Sequence, residues 1–125
     1  AGADDLQIVA VGTDRFVVER WLEDDPYPRA EITPVPPLIW NDALAPLRAE
    51  AESIARRVIA RAPHARWDAA TELSDDPLAA AWQLAEIAPL GEYDRYVLLG
   101  ATTMGGLLRQ VMDLTLDAEA LWSAQ

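Results

Sequence analysis

Residues 33–40 read "TPVPPLIW", and the chain changes character across them. Three prolines in eight residues forbid a helix and cannot serve a central strand, because proline fixes φ and has no N–H to donate. The stretch is therefore a connector. Upstream of it apolar residues recur with period two, and downstream they step by three and four.

Upstream, "DLQIVAVG" (residues 5–12) sets Leu6, Ile8 and Ala10 against Val9 and Val11. "RFVVERWLE" (residues 15–23) sets Phe16, Val18 and Leu22 against Val17, Glu19, Trp21 and Glu23. Gly12-Thr13-Asp14 between them is a hairpin signal. "EDDPYPRAEI" (residues 23–32) poses a choice between an acidic site and a turn. Adjacent carboxylates on extended backbone point to opposite faces and do not converge on a metal, whereas Asp stabilises turns through its own backbone bonds. The turn is the better reading, with a third strand from Tyr27 that places Ala30 and Ile32 opposite Arg29, Glu31 and Thr33. Pro28 belongs at its start or edge. Strands apolar on both faces suit a covered sheet or a small barrel.

Downstream, Leu44, Leu47, Ala51, Ile54 and Val58 form a helical stripe, with Pro46 in the first turn. Residues 61–76 are a polar linker. Asp76 caps a second helix whose first residue is Pro77 and whose buried stripe is Leu78, Ala81, Trp82 and Ala85. That helix stops at Pro89. "EYDRYVLLGA" (residues 92–101) predicts a short third helix ending at Gly100. Thr103 caps the last, whose apolar positions are Leu107, Leu108, Val111, Met112, Leu114 and Leu121. Strands followed by helices predict an α+β fold: a β part over residues 1–38 and a four-helix bundle over 39–125, together one structural unit.

A chain of 125 residues, 51% apolar, can bury a real core. Its net charge of −11 argues against nucleic acid and against anionic membranes as partners. It has no cysteine and one histidine, so disulfides, thiolate sites and a caged zinc are not expected. It has no lysine, and Gly105-Gly106 lacks the phosphate-loop frame. Close approach of another backbone would explain those two glycines, which are costly in a helix. His64 lies in the linker, and none of Ser53, Ser74 and Ser123 has the spacing of a nucleophile elbow. No catalytic, cofactor or metal residues are therefore assigned. The chain reads as soluble and cytoplasmic.

Five tryptophans carry more information. Trp82 falls on a helical stripe, and Trp40 is expected to plug the joint between sheet and helices. Trp21 is either covered by another part of the chain or belongs to a contact patch, since exposed aromatic clusters mark partner sites. Trp67 and Trp122 fit either role.

Three segments carry a resemblance. "VGTDRFVVERW" supplies Gly12, Arg15, Phe16 and Val18. "DDPYPRAEITPV" supplies Pro26, Tyr27, Ala30 and Glu31. "LAEIAPLGEYDRYVLLGA" supplies Leu84, Ala85, Pro89, Leu90, Leu98 and Leu99. In this order they resemble the C-terminal two-thirds of the amino-terminal domain of Lon proteases, also found in small stand-alone proteins. The resemblance implies a PUA-like barrel of Lon type, here incomplete, followed by a helical bundle. It also implies a non-catalytic domain that recognises unfolded or hydrophobic polypeptide segments, with Trp21, Tyr27, Trp40 and Tyr93 as contact candidates. The family's ATPase and Ser-Lys protease parts have no counterpart in this sequence. Leu107-Leu108 stands where the family has Arg-Leu, and the family's opening segment is missing. Three strands cannot close a barrel, so self-association through open sheet edges is expected, in a stand-alone protein. Two other readings are a purely structural oligomerisation domain and a carboxylate hydrolase using Asp24 or Asp25 with Glu31.

Overall fold

A computed structural model describes Gly12 and residues 14–124. The chain divides into two compact units, Ala1–Pro37 and Leu38–Gln125. The division falls inside the proline connector, where the sequence changes period. The fold is mixed α+β. The described residues hold one two-stranded antiparallel sheet and four α-helices. The strand expected over residues 5–12 and its turn lie outside the described residues, apart from Gly12 and Asp14.

In the first unit, β1 (Arg15–Leu22) pairs with β2 (Arg29–Val35). The register runs from Arg15 opposite Val35 to Leu22 opposite Arg29. It shifts between Val18, opposite Ile32, and Arg20, opposite Glu31. Glu19 is thus the extra residue of a β-bulge. β2 starts at Arg29, two residues later than expected from Tyr27. The Tyr27 carbonyl is occupied by the Asp25 N–H at 3.1 Å, and Pro28 has no N–H for a ladder. Glu23, Asp24 and Asp25 are exposed in the connecting loop, as a turn requires. Arg29 Nε donates to the Glu23 carbonyl at 3.2 Å and ties the loop's two ends.

In the second unit, a 3-10 turn at Asp42–Leu44 leads into α1 (Ala45–Arg61). It is followed by α2 (Pro77–Ile87), α3 (Glu92–Leu99) and α4 (Met104–Ser123). The local signals explain the boundaries. The Asp76 carboxylate accepts from the Ala79 N–H at 3.1 Å, and the Thr103 hydroxyl accepts from the Gly106 N–H at 3.0 Å. Each satisfies a donor that helix geometry leaves unpaired. Pro46 and Pro77 occupy first-turn positions, where a missing N–H costs nothing.

The four helices share one core, centred on Leu84, Leu98, Leu107, Leu108 and Val111, with Leu38 sealing one side. α1 packs chiefly against α4. Leu44, before α1, lies beside Gly105 at the start of α4. Near the other ends, Arg57 and Arg61 reach Glu119 at 3.4 and 3.3 Å. Those two junctions make α1 and α4 parallel neighbours.

Several expected faces shift. On α1 the buried residues are Ala51, Ala55, Val58 and Ile59, and Ile54 is only half-buried. Leu44 and Leu47, also expected on this face, pack against the core partly buried. On α2, Ala80 and Leu84 join the core while Trp82 is half-buried against it. Leu121 is exposed near the end of α4. Thr115, not expected inside, is fully buried, and its hydroxyl has no hydrogen-bond partner. The glycine pair does not meet another backbone. A Cβ at Gly106 would lie 2.8 Å from the Thr103 hydroxyl, and one at Gly105 would lie 3.7 Å from a Leu44 methyl. Space for the cap and for a neighbouring leucine is what these glycines provide.

Candidate functional site

Simple alternation along β1 would put Trp21 opposite Phe16 and Val18. The bulge at Glu19 overturns this. Directly opposed residues of an antiparallel pair share a face. Phe16 opposite Pro34, Val18 opposite Ile32 and Trp21 opposite Ala30 therefore lie on one side of the hairpin. All six are apolar. Leu22, which alternation would have grouped with them, moves to the other side with Arg29.

That other side mixes Val17, Leu22 and Val35 with charged and hydroxyl side chains, and the polar ones are cross-linked. Arg20 Nη2 pairs with Glu31 Oε1 at 2.6 Å, and the Thr33 hydroxyl donates to Glu19 Oε1 at 2.7 Å. Arg15 Nη2 donates to the Pro36 carbonyl at 3.1 Å. One face of the hairpin is thus satisfied by its own bonds. The opposite face leaves Trp21 71%, Phe16 55% and Ile32 51% exposed. Fully burying one such side chain is worth about 1.5–3 kcal/mol, so an uncovered row of them is a surface poised for contact.

Of the other contact candidates, Tyr27 is exposed in the β1–β2 loop. Tyr93 is exposed on α3. Trp40 is half-buried against the helical core, and its indole N–H donates to Asp42 Oδ1 at 3.0 Å. Within the first unit, Tyr27 lies in the loop and not among the paired residues that share a face with Trp21; Trp40 and Tyr93 belong to the second unit. Tyr93 has companions that the sequence reading passed over: Tyr96 and Leu99 are exposed at three-residue steps along the same helix. The apolar spacing of 93, 96 and 99 was the available signal, but such a stripe usually faces a core.

The motif residues fall into two sets. Gly12 is exposed ahead of β1, Arg15 and Phe16 open β1, Pro26 and Tyr27 lie in the loop, and Ala30 and Glu31 lie in β2. Ala85 is buried in α2, while Pro89 and Leu90 form the turn into α3. Of the carboxylates considered for hydrolysis, Asp24 and Asp25 are exposed and Glu31 is engaged by Arg20. Among the described residues, no three His, Asp or Glu side chains gather to hold a metal ion, and no helix is long and apolar enough to cross a membrane.

Compared with protein-family models, curated proteins and solved structures, the chain gives no match.

Proposed function

We propose that this chain is a non-catalytic recognition module whose hairpin face takes up exposed apolar segments of other polypeptides. The observation that carries the reading is the row Phe16, Val18, Trp21, Ala30, Ile32 and Pro34, gathered by the bulge and left largely uncovered. Such a face offers an extended segment apolar contacts, and the neighbouring strand edge offers it backbone hydrogen bonds. With a net charge of −11, neutral or basic segments are favoured over acidic ones. The reading accords with the resemblance to the Lon amino-terminal domain. On that view the hairpin is part of a PUA-like barrel and the helices are its companion bundle.

The test is a titration of the full chain with a permanently unfolded apolar polypeptide, followed by fluorescence polarisation of the labelled polypeptide. Trp21→Ser is expected to weaken binding at least roughly tenfold, as for an aromatic hot spot, while leaving the circular dichroism of the helices unchanged. Unaltered affinity in this variant would sink the proposal.

A second reading is favoured by one further observation. Among the described residues β1 and β2 pair only with each other, which leaves each strand one edge without a partner among them, and open edges invite a second copy of the chain. Sedimentation of the same Trp21→Ser variant separates the two. Loss of a dimer together with loss of polypeptide binding assigns the face to self-association as well.

A further inference from the structure

The helical unit contains a second site, unrelated to the hairpin. A cleft of about 200 Å³ opens between residues 62–67 and the turn from α2 into α3. Pockets for drug-sized ligands run to roughly 300–1,000 Å³, and a cavity of about 150 Å³ accepts benzene. The cleft therefore fits a single large side chain. Its walls are apolar and flat: Trp67, Trp122 and Leu90 line it.

Its charge runs against the rest of the chain. Acidic residues outnumber basic ones 21 to 10 overall, yet Arg66, Arg95 and His64 line the cleft and no carboxylate does. The two arginines are not equivalent. Arg95 turns its two terminal nitrogens to Glu86, with Nη2 donating to its carbonyl at 3.1 Å and Nη1 3.6 Å from Oε1, while its buried Nε has no partner. Arg66 has no hydrogen-bond or ion-pair partner among the described residues and is exposed. Its planar fork is free to take a carboxylate in two parallel bonds.

The chain just past Trp67 is tied down. The Ala70 N–H donates to Asp68 Oδ1 at 2.7 Å, and Arg56 Nη1 reaches from α1 to the Ala69 carbonyl at 2.7 Å. Trp67 thus adjoins an anchored segment.

We propose that this cleft binds an apolar or aromatic side chain that carries a free carboxylate, the ring seated between Trp67 and Trp122 and the carboxylate on Arg66. The C-terminal residue of a polypeptide and a free aryl acid share this chemistry.

The indole N–H signals of Trp67 and Trp122 in the full chain report occupancy by NMR. Three probes are titrated: N-acetyl-phenylalanine, its amide, and 3-phenylpropanoate. A ligand this small is expected to bind with a Kd on the order of 1 mM. The acid is expected to bind roughly tenfold or more tightly than the amide, because one charge-assisted bidentate contact is at stake. Arg66→Ala should bring the acid down to the level of the amide, and Arg66→Lys should restore part of the difference. Arg66 is exposed, so neither variant threatens folding. N-acetyl-phenylalanine binding more tightly than phenylpropanoate assigns the cleft to polypeptide ends, and equal binding assigns it to free aryl acids. Equal binding of acid and amide, a preference that survives Arg66→Ala, or shifts confined to Trp40 and Trp82 would each overturn the proposal. Trp21→Ser leaves this cleft untouched, so its outcome and that of the hairpin face are independent.

Discussion

Glu52 sits between two arginines of its own helix, accepting from Arg48 Nη1 at 2.7 Å and from Arg56 Nε at 2.9 Å. Burial pushes its carboxyl up. The hydrogen bonds from Arg56 and Arg48, together with their charges, outweigh burial and hold it below the ordinary carboxylate value. A carboxyl lowered in the folded state stabilises the fold at pH above its unfolded value, and that contribution is lost as pH falls through the folded value. Glu52→Gln should therefore cost about 0.5–1 kcal/mol near neutrality, the worth of two such helical pairs. The deficit should shrink towards zero in acid, as read by urea unfolding at several pH values. Residue by residue, legibility followed range. Asp76 and Thr103 act on N–H groups three residues away, so their caps are visible in the sequence. Thr115 is buried by the helices packed around it, and nothing within a turn of it announces that. Trp21 was read on the wrong face because alternation assumes an unbroken ladder.

At the scale of elements, the bulge decides what the hairpin displays. Glu19 is the only residue of β1 without a partner in β2. Deleting it leaves Val18 opposite Ile32, Arg20 opposite Glu31 and Trp21 opposite Ala30 in an unbroken ladder, so the apolar row keeps its face. The deletion variant is expected to retain the polypeptide binding that Trp21→Ser loses, with its helical circular dichroism intact. Loss of affinity on deletion as large as that of Trp21→Ser would show that the row is not the contact surface. The helices themselves were legible as elements, because their apolar periods and caps are local. Their inward faces were less so. On α1, Ala51 and Val58 face inward as expected, Ala55 and Ile59 join them, and Ile54 is only half-buried.

At the scale of the molecule, the described residues of the first unit hold one hairpin, and those of the second hold helices around a shared core. A two-stranded hairpin alone is marginal in water, whereas helices around a shared core are self-sufficient. Leu38 is buried in that core, so the helical unit has its own first residue. A chain beginning at Leu38 is expected to unfold cooperatively, within a few degrees of the Tm of the full chain. A broad, non-cooperative melt would show that the helices depend on the residues before them. The three prolines interrupt both periods at once, and the boundary between the two compact units falls directly after the last of them.

The parallel pairing of α1 and α4 also has a consequence in time. Arg57 and Glu119 are 62 positions apart, so α1 emerges from the ribosome long before its main partner exists. At about 5–20 residues per second, its inward face waits roughly 3–12 s for α4. During synthesis this protein is itself a polypeptide with an exposed apolar segment. Small side chains on that waiting face, Ala51 and Ala55 among them, make it a poor target for premature association.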